Sequence, residues 1–136
     1  MNFKKSYKSA GGYTPICKIG ESSLKKLEFG IIELEPGRKW LFDTEDKEFA
    51  FIMLEGYCNL EVNGEVYKNI GNRQTVFENR KAESFYMPRE QQLAIEAVTK
   101  VKIAVCGTPV NEKTEHQVFR ESHVKLKMLG EVPYQR

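Results

Sequence analysis

The dipeptide Asn63-Gly64 stands between two strand-like runs, Cys58–Val62 and Glu65–Tyr67. Both central residues of a type I′ turn need positive φ, which Asn tolerates and Gly adopts without steric cost, and the twist of that turn matches the twist of paired strands. A tight hairpin is therefore predicted here, and its surroundings repeat the theme. From Phe49 to Cys106 short apolar runs alternate with turn residues. Phe49–Leu54 is apolar on both faces and too short for a helix, so it reads as a buried strand. Thr75–Phe77 and Ser84–Met87 read as further strands, the second stopped by Pro88, which cannot donate to a sheet ladder. Leu93–Ala97 and Val101–Val105 alternate apolar and polar positions.

Upstream, Leu27–Leu34 and Arg38–Phe42 flank a turn at Glu35-Pro36-Gly37, and residues 43–48 form a charged loop. Eight or more short strands at a spacing of roughly 8–12 residues, with little helical periodicity, predict an all-β sandwich or barrel. Residues 27–110 are expected to form this barrel. Residues 1–26 read as an N-terminal arm broken by Gly11-Gly12 and Pro15, with a short strand near Thr14–Ile19. Residues 111–136 read as a polar linker and a terminal strand, because Val124, Leu126 and Met128 alternate with Lys125 and Lys127. Such an amphipathic strand needs a sheet to pair with. A homodimer through this C-terminal strand, or association with a second barrel, is the expected assembly.

The chain of 136 residues suits one domain. Its net charge of +2 is too small for a general electrostatic grip on nucleic acid or anionic lipid. No apolar run approaches the roughly 18 residues of a membrane helix, and residues 1–10 lack the apolar core of a signal peptide. A cytoplasmic location is expected. Cys17, Cys58 and Cys106 are widely spaced and form no C-x-x-C, so they read as free thiols, with Cys58 and Cys106 acting as small core hydrophobes.

Chemistry-bearing patterns are sparse. The two histidines, His116 and His123, both fall outside the predicted barrel, which excludes a readable Ser/His/Asp or Cys/His arrangement within it. The string Gly37-x(5)-Asp43-x-Glu45-x(2)-Glu48-x(7)-Gly56 has the layout of the first cupin motif, with Asp43 and Glu45 in place of its two histidines. Pro88-Arg89-Glu90-Gln91-Gln92-Leu93 resembles the second, with Leu93 in place of its histidine. A transition-metal site wants several imidazole or carboxylate ligands converging on one open position. Leu93 cannot ligate, so neither a metal nor another cofactor is expected. An all-oxygen site from Asp43, Glu45 and Glu48 is the alternative to plain solvated loop charges.

The strings Phe51-x-x-Leu54-x-Gly56, Asn69-Ile70-Gly71-x-Arg73-x-x-Val76-Phe77-Glu78, Tyr86-x-Pro88 and Val105-Cys106 resemble the N-terminal half of the 5-deoxy-glucuronate isomerase family. These inositol-catabolism enzymes are related to the uronate ketol-isomerases. The resemblance implies a cupin-like double-stranded β-helix barrel and an aldose–ketose isomerisation of a deoxy uronic acid. It also implies two barrels per chain, with the metal ligands in the C-terminal one, so this barrel is expected to be inactive alone. The rival expectation is a non-catalytic cupin module that binds a sugar acid or acts as a scaffold. Arg73, Glu78, Tyr86 and Trp40 are the candidate ligand-binding residues. Arg73 would clamp a sugar-acid carboxylate; alternatively, Arg73 and Glu78 brace a barrel mouth.

Overall fold

A computed structural model describes residues 4–21, 23–127 and 129–130. Its strands, in chain order, are β1 (Gly12–Cys17), β2 (Glu28–Leu34), β3 (Lys39–Asp43), β4 (Lys47–Glu55), β5 (Cys58–Val62), β6 (Glu65–Ile70), β7 (Ser84–Met87), β8 (Gln92–Ala97), β9 (Val101–Pro109) and β10 (Gln117–Phe119). One short 3-10 turn follows at Glu121–His123. Among the described residues no helix is long and apolar enough to cross a membrane.

Two antiparallel sheets face each other. The larger has the order β1-β2-β9-β4-β7-β10 and the smaller β3-β8-β5-β6. The period-2 alternation decides which side chains meet between them. Phe49, Phe51 and Met53 of β4 point inward with Phe85 and Met87 of β7, and opposite them lie Phe42, Leu60, Leu93 and Ile95. Phe42 is the hub. Its ring meets Tyr13, Phe49 and Phe51 edge-on at centroid distances of 5.4, 5.0 and 5.3 Å. Phe51 stacks on Phe85 at 4.7 Å. Edge-to-face and offset-stacked pairs of this kind each add about 0.5–1.5 kcal/mol beyond area burial.

The hairpin forms as predicted. Asn63 has φ 51° and Gly64 φ 79°, and Val62 pairs with Glu65 across the turn. β1 adds to the edge of the larger sheet by pairing with β2, so part of the N-terminal arm joins the sheet.

Two expected strands are absent. Thr75–Phe77 lies in a series of turns instead. The Glu78 amide bonds back to the Thr75 carbonyl at 3.2 Å and the Glu78 carboxylate accepts the Gln74 amide at 2.9 Å, which curls the segment on itself and leaves Phe77 92% exposed. The alternating stripe at Val124–Met128 is the other. Residues 124–127 pair with no strand, and Met128 lies outside the described residues. The C-terminal strand forms earlier, at β10, and pairs with β7 of its own chain. Val118, facing Phe85, packs against the core and fixes that choice.

Candidate functional site

In the cupin motifs the chemistry would sit inside the barrel. Here the chain fills that space with aromatic and aliphatic side chains. Leu93, at the position of the missing histidine, is 4% exposed and belongs to the core cluster. Thr44, between Asp43 and Glu45, is the residue of that loop that turns inward. Its hydroxyl donates to the Pro88 carbonyl at 2.7 Å and accepts the Gln91 amide at 2.9 Å, tying the two motif-bearing loops together. The carboxylates diverge. Asp43 accepts the Glu45 amide at 2.9 Å, while Glu48 accepts the Tyr86 hydroxyl at 2.6 Å. Among the described residues no three His, Cys, Asp or Glu side chains are placed to share a metal ion. The donor set inside this barrel does not fit one. Cys58 is in the core, and burial pushes its thiol up to about 12, so it stays protonated and inert.

The four candidate residues do not converge. Trp40, on β3, packs on the backbone of Gly12, where any Cβ would collide with its ring. Tyr86 points away from the core on β7, and its hydroxyl bridges Glu48 and Thr114, the latter at 2.7 Å. Burial, then the bond to Glu48, raises the Tyr86 pKa. Arg73 and Glu78 occupy the loop between β6 and β7. The Arg73 guanidinium donates to the carbonyls of Met53 and Arg80, both at 3.3 Å, bracing the loop against β4.

A buried, multiply bonded polar residue is one that sequence reasoning missed. Glu83 is 6% exposed. One carboxylate oxygen accepts the Gly71 amide at 2.9 Å and faces the Arg120 guanidinium at 3.5 Å; the other accepts the Glu121 amide at 3.0 Å. Arg120 also donates to the carbonyls of Asn69 and Lys68 at 2.9 and 2.8 Å. Arg80 grips Glu121 in fork geometry, with its shortest bond 2.7 Å, and Lys81 reaches the Val124 carbonyl at 2.8 Å. The bond to Arg80, then one to Asn72, holds the Glu121 carboxyl at about 2. Together these groups clasp the segment after β10 onto the loop that carries Arg73 and Glu78. No local spacing announces it, because its partners lie 12, 37 and 38 residues from Glu83.

A broad depression of about 1140 Å³ crosses the outer side of the smaller sheet and the hairpin tip. Its cations are already engaged: Lys39 pairs with Glu61 at 3.7 Å, Arg89 with Glu90 at 3.4 Å, and Lys113 donates to the Glu90 carbonyl at 2.9 Å. No convergent anion-binding set results.

A model of the KduI/IolB family matches residues 2–136. The chain belongs to that family. Among curated KduI/IolB-type relatives, the 5-deoxy-glucuronate isomerase of Halalkalibacterium halodurans is 31% identical over 88 residues, covering 65% of this chain and 33% of that protein. The 5-deoxy-glucuronate isomerase of Bacillus subtilis strain 168 is 22% identical over 115 residues, covering 85% of this chain and 42% of that protein. The chain thus spans less than half the length of the curated relatives it matches. Among solved structures, an IolB-like protein from Salmonella typhimurium superposes with a TM-score of 0.84 at 20% identity, covering 93% of this chain and 48% of that one. The cupin domain of Schizosaccharomyces pombe Cnp3 gives a TM-score of 0.54 at 14% identity, covering 72% of this chain and 64% of that one. The KduI/IolB chain therefore has the cupin fold.

Proposed function

We propose that this chain is the non-catalytic barrel of a 5-deoxy-glucuronate isomerase system, supporting a separate metal-bearing barrel in which a deoxy uronic acid is isomerised. Aldose–ketose isomerisation needs a base to move a proton between adjacent carbons and an acid or metal to polarise the carbonyl. The observation that carries the reading is the packed interior: Phe42, Phe49, Phe51, Phe85, Met87 and Leu93 occupy the space where such groups would act. Glu83, the one buried carboxylate among the described residues, is already bonded to two backbone amides and faces Arg120. The names of the relatives support the substrate class.

The test is an isomerase assay on 5-deoxy-glucuronate with the purified chain alone, and then with a separately expressed metal-bearing barrel from the family. No turnover alone, with turnover in the mixture, is expected. Turnover by the chain alone, persisting through repeated purification, would overturn the reading. A parallel melting experiment with uronic acids addresses the ligand-binding module, because a ligand that binds only the folded state raises its stability. No shift is expected, since the candidate residues do not share a pocket.

A further inference from the structure

The loop between β6 and β7 carries the most exposed large apolar side chain among the described residues. Phe77 is 92% exposed and its neighbour Val76 42%. Exposure of this kind is ordinary where a loop is slack, and this loop is braced. The Glu78 carboxylate accepts the Gln74 amide at 2.9 Å, the Asn72 side chain donates to the Lys81 carbonyl at 2.6 Å, and Arg73 ties the loop to Met53 of β4. These bonds set Phe77 outward and hold it there. An aromatic side chain presented in this way binds at little further ordering cost.

A second apolar stretch is fixed beside the first. Lys81 donates to the Val124 carbonyl at 2.8 Å, and Arg80 holds Glu121 at 2.7 Å. Leu126, two residues past Val124, is 75% exposed, and Phe77 stands four residues before Lys81. At about 3.5 Å of chain per residue at most, Phe77 and Leu126 fall within the roughly 30 Å breadth of an interface of about 800 Å² per partner. Lys125 and Lys127 flank Leu126, and neither has a partner among the described residues. An apolar centre with a charged rim is the anatomy of a protein interface.

We infer that Val76, Phe77 and Leu126 are the docking surface for the metal-bearing barrel of the isomerase system; this rests on the reading of the chain as its non-catalytic barrel. Two observations select that occupant. The chain spans 33% and 42% of the two curated relatives described above. A body larger than this barrel therefore accompanies it in those proteins. The unpaired lysines then set the chemistry of the face received, which is apolar at its centre and acidic at its edge. A second copy of this chain does not meet that condition, because like faces would oppose one basic rim to another.

The test is co-expression of the tagged whole chain with the metal-bearing barrel of the Halalkalibacterium halodurans relative, so that a barrel needing its partner can fold with it. Co-purification at one-to-one stoichiometry is expected, with the affinity read by sedimentation velocity over a concentration series. Phe77→Asp and Leu126→Asp, each checked for native near-ultraviolet circular dichroism, are expected to weaken the complex by at least about 30-fold, the level of a hot-spot substitution. Lys125→Glu combined with Lys127→Glu should weaken it too and flatten its dependence on salt. Leu41→Asp, on the smaller sheet, should leave it unchanged. The surface and the isomerase reading fail separately. A complex that forms through Phe77 and Leu126 without turnover supports the surface and removes the isomerase reading. Turnover in the mixture that Phe77→Asp leaves unaltered, at concentrations near the dissociation constant, overturns the surface and leaves the isomerase reading standing. Absence of co-purification overturns the surface, as does a complex that survives both apolar substitutions. A wild type that ignores the barrel and sediments with anionic vesicles overturns the barrel as occupant.

Discussion

Replacing Glu83 with Ala tests whether the clasp holds the chain after β10 in place. The substitution removes both carboxylate oxygens. The Gly71 amide is buried against the backbone of Gly56 and has no route to water, so it becomes an unsatisfied donor at a cost of about 1–3 kcal/mol. The Glu121 amide is nearer the surface and recovers part of its loss by hydration. Arg120 keeps its bonds to Lys68 and Asn69 but loses its countercharge. Taken together, the loss is about 3 kcal/mol, a large share of the ~5–15 kcal/mol that holds a domain folded. With a urea slope of about 2 kcal/mol/M, the midpoint should fall by about 1.5 M. Hydrogen exchange should locate the damage, with amides at Gly71 and across residues 117–124 losing protection before those of β4 and β9. Glu83→Gln should cost about half as much: its remaining oxygen can still accept from Gly71, while its NH2 meets the Glu121 amide donor to donor. An Ala variant that unfolds at the wild-type midpoint with unchanged protection at Glu121 would refute the reasoning.

Two glycines should respond unequally to alanine. At Gly71, φ is 117° and a Cβ would run into the Gly56 carbonyl, so Gly71→Ala should cost more than about 3 kcal/mol; at Gly64, φ is 79° with open space, so Gly64→Ala should cost about 1 kcal/mol, both read from thermal melts. Cys58 should stay silent to a thiol reagent at pH 8 until the chain is unfolded, since burial holds its thiol at about 12. The Glu121 carboxyl is depressed from an ordinary 4.5 to about 2, so the stabilisation it lends the clasp is complete above pH 4.5 and disappears as pH falls through 2. Proton exchange at residues 120–124 between pH 5 and pH 2 should show that segment loosening while the β4 and β9 amides remain protected.

What could be read in advance was whatever the backbone records locally. Asn63-Gly64 carries its own turn geometry, and the alternation in Leu93–Ala97 and Val101–Val105 carries its own inside and outside. Thr75–Phe77 misled because three consecutive strand formers look alike whether or not a sheet edge awaits them. Here the Glu78 side chain captured the Gln74 amide first. The stripe at Val124 was stronger on paper than Gln117–Phe119. Strand formation went to the latter because Val118 reaches the core beside Phe85 and Arg120 is pinned to carbonyls of β6. Glu83 looked like one more polar loop residue. Its role comes from Gly71, Arg120 and Glu121, which come near it only when the segment after β10 folds back onto the loop between β6 and β7. The patch at Phe77 and Leu126 was equally illegible, since it emerges only when Lys81 meets Val124.

The crowding around Phe42 also limits what evolution can do with this scaffold. A lone Leu93→His change would bury an imidazole among hydrocarbon side chains, with no ligand partner placed beside it among the described residues. Several large side chains would have to shrink before any ion could enter, and each step would weaken the protein with nothing gained until the last. A lineage that once gave up reactivity here would find the way back closed by its own success at staying folded.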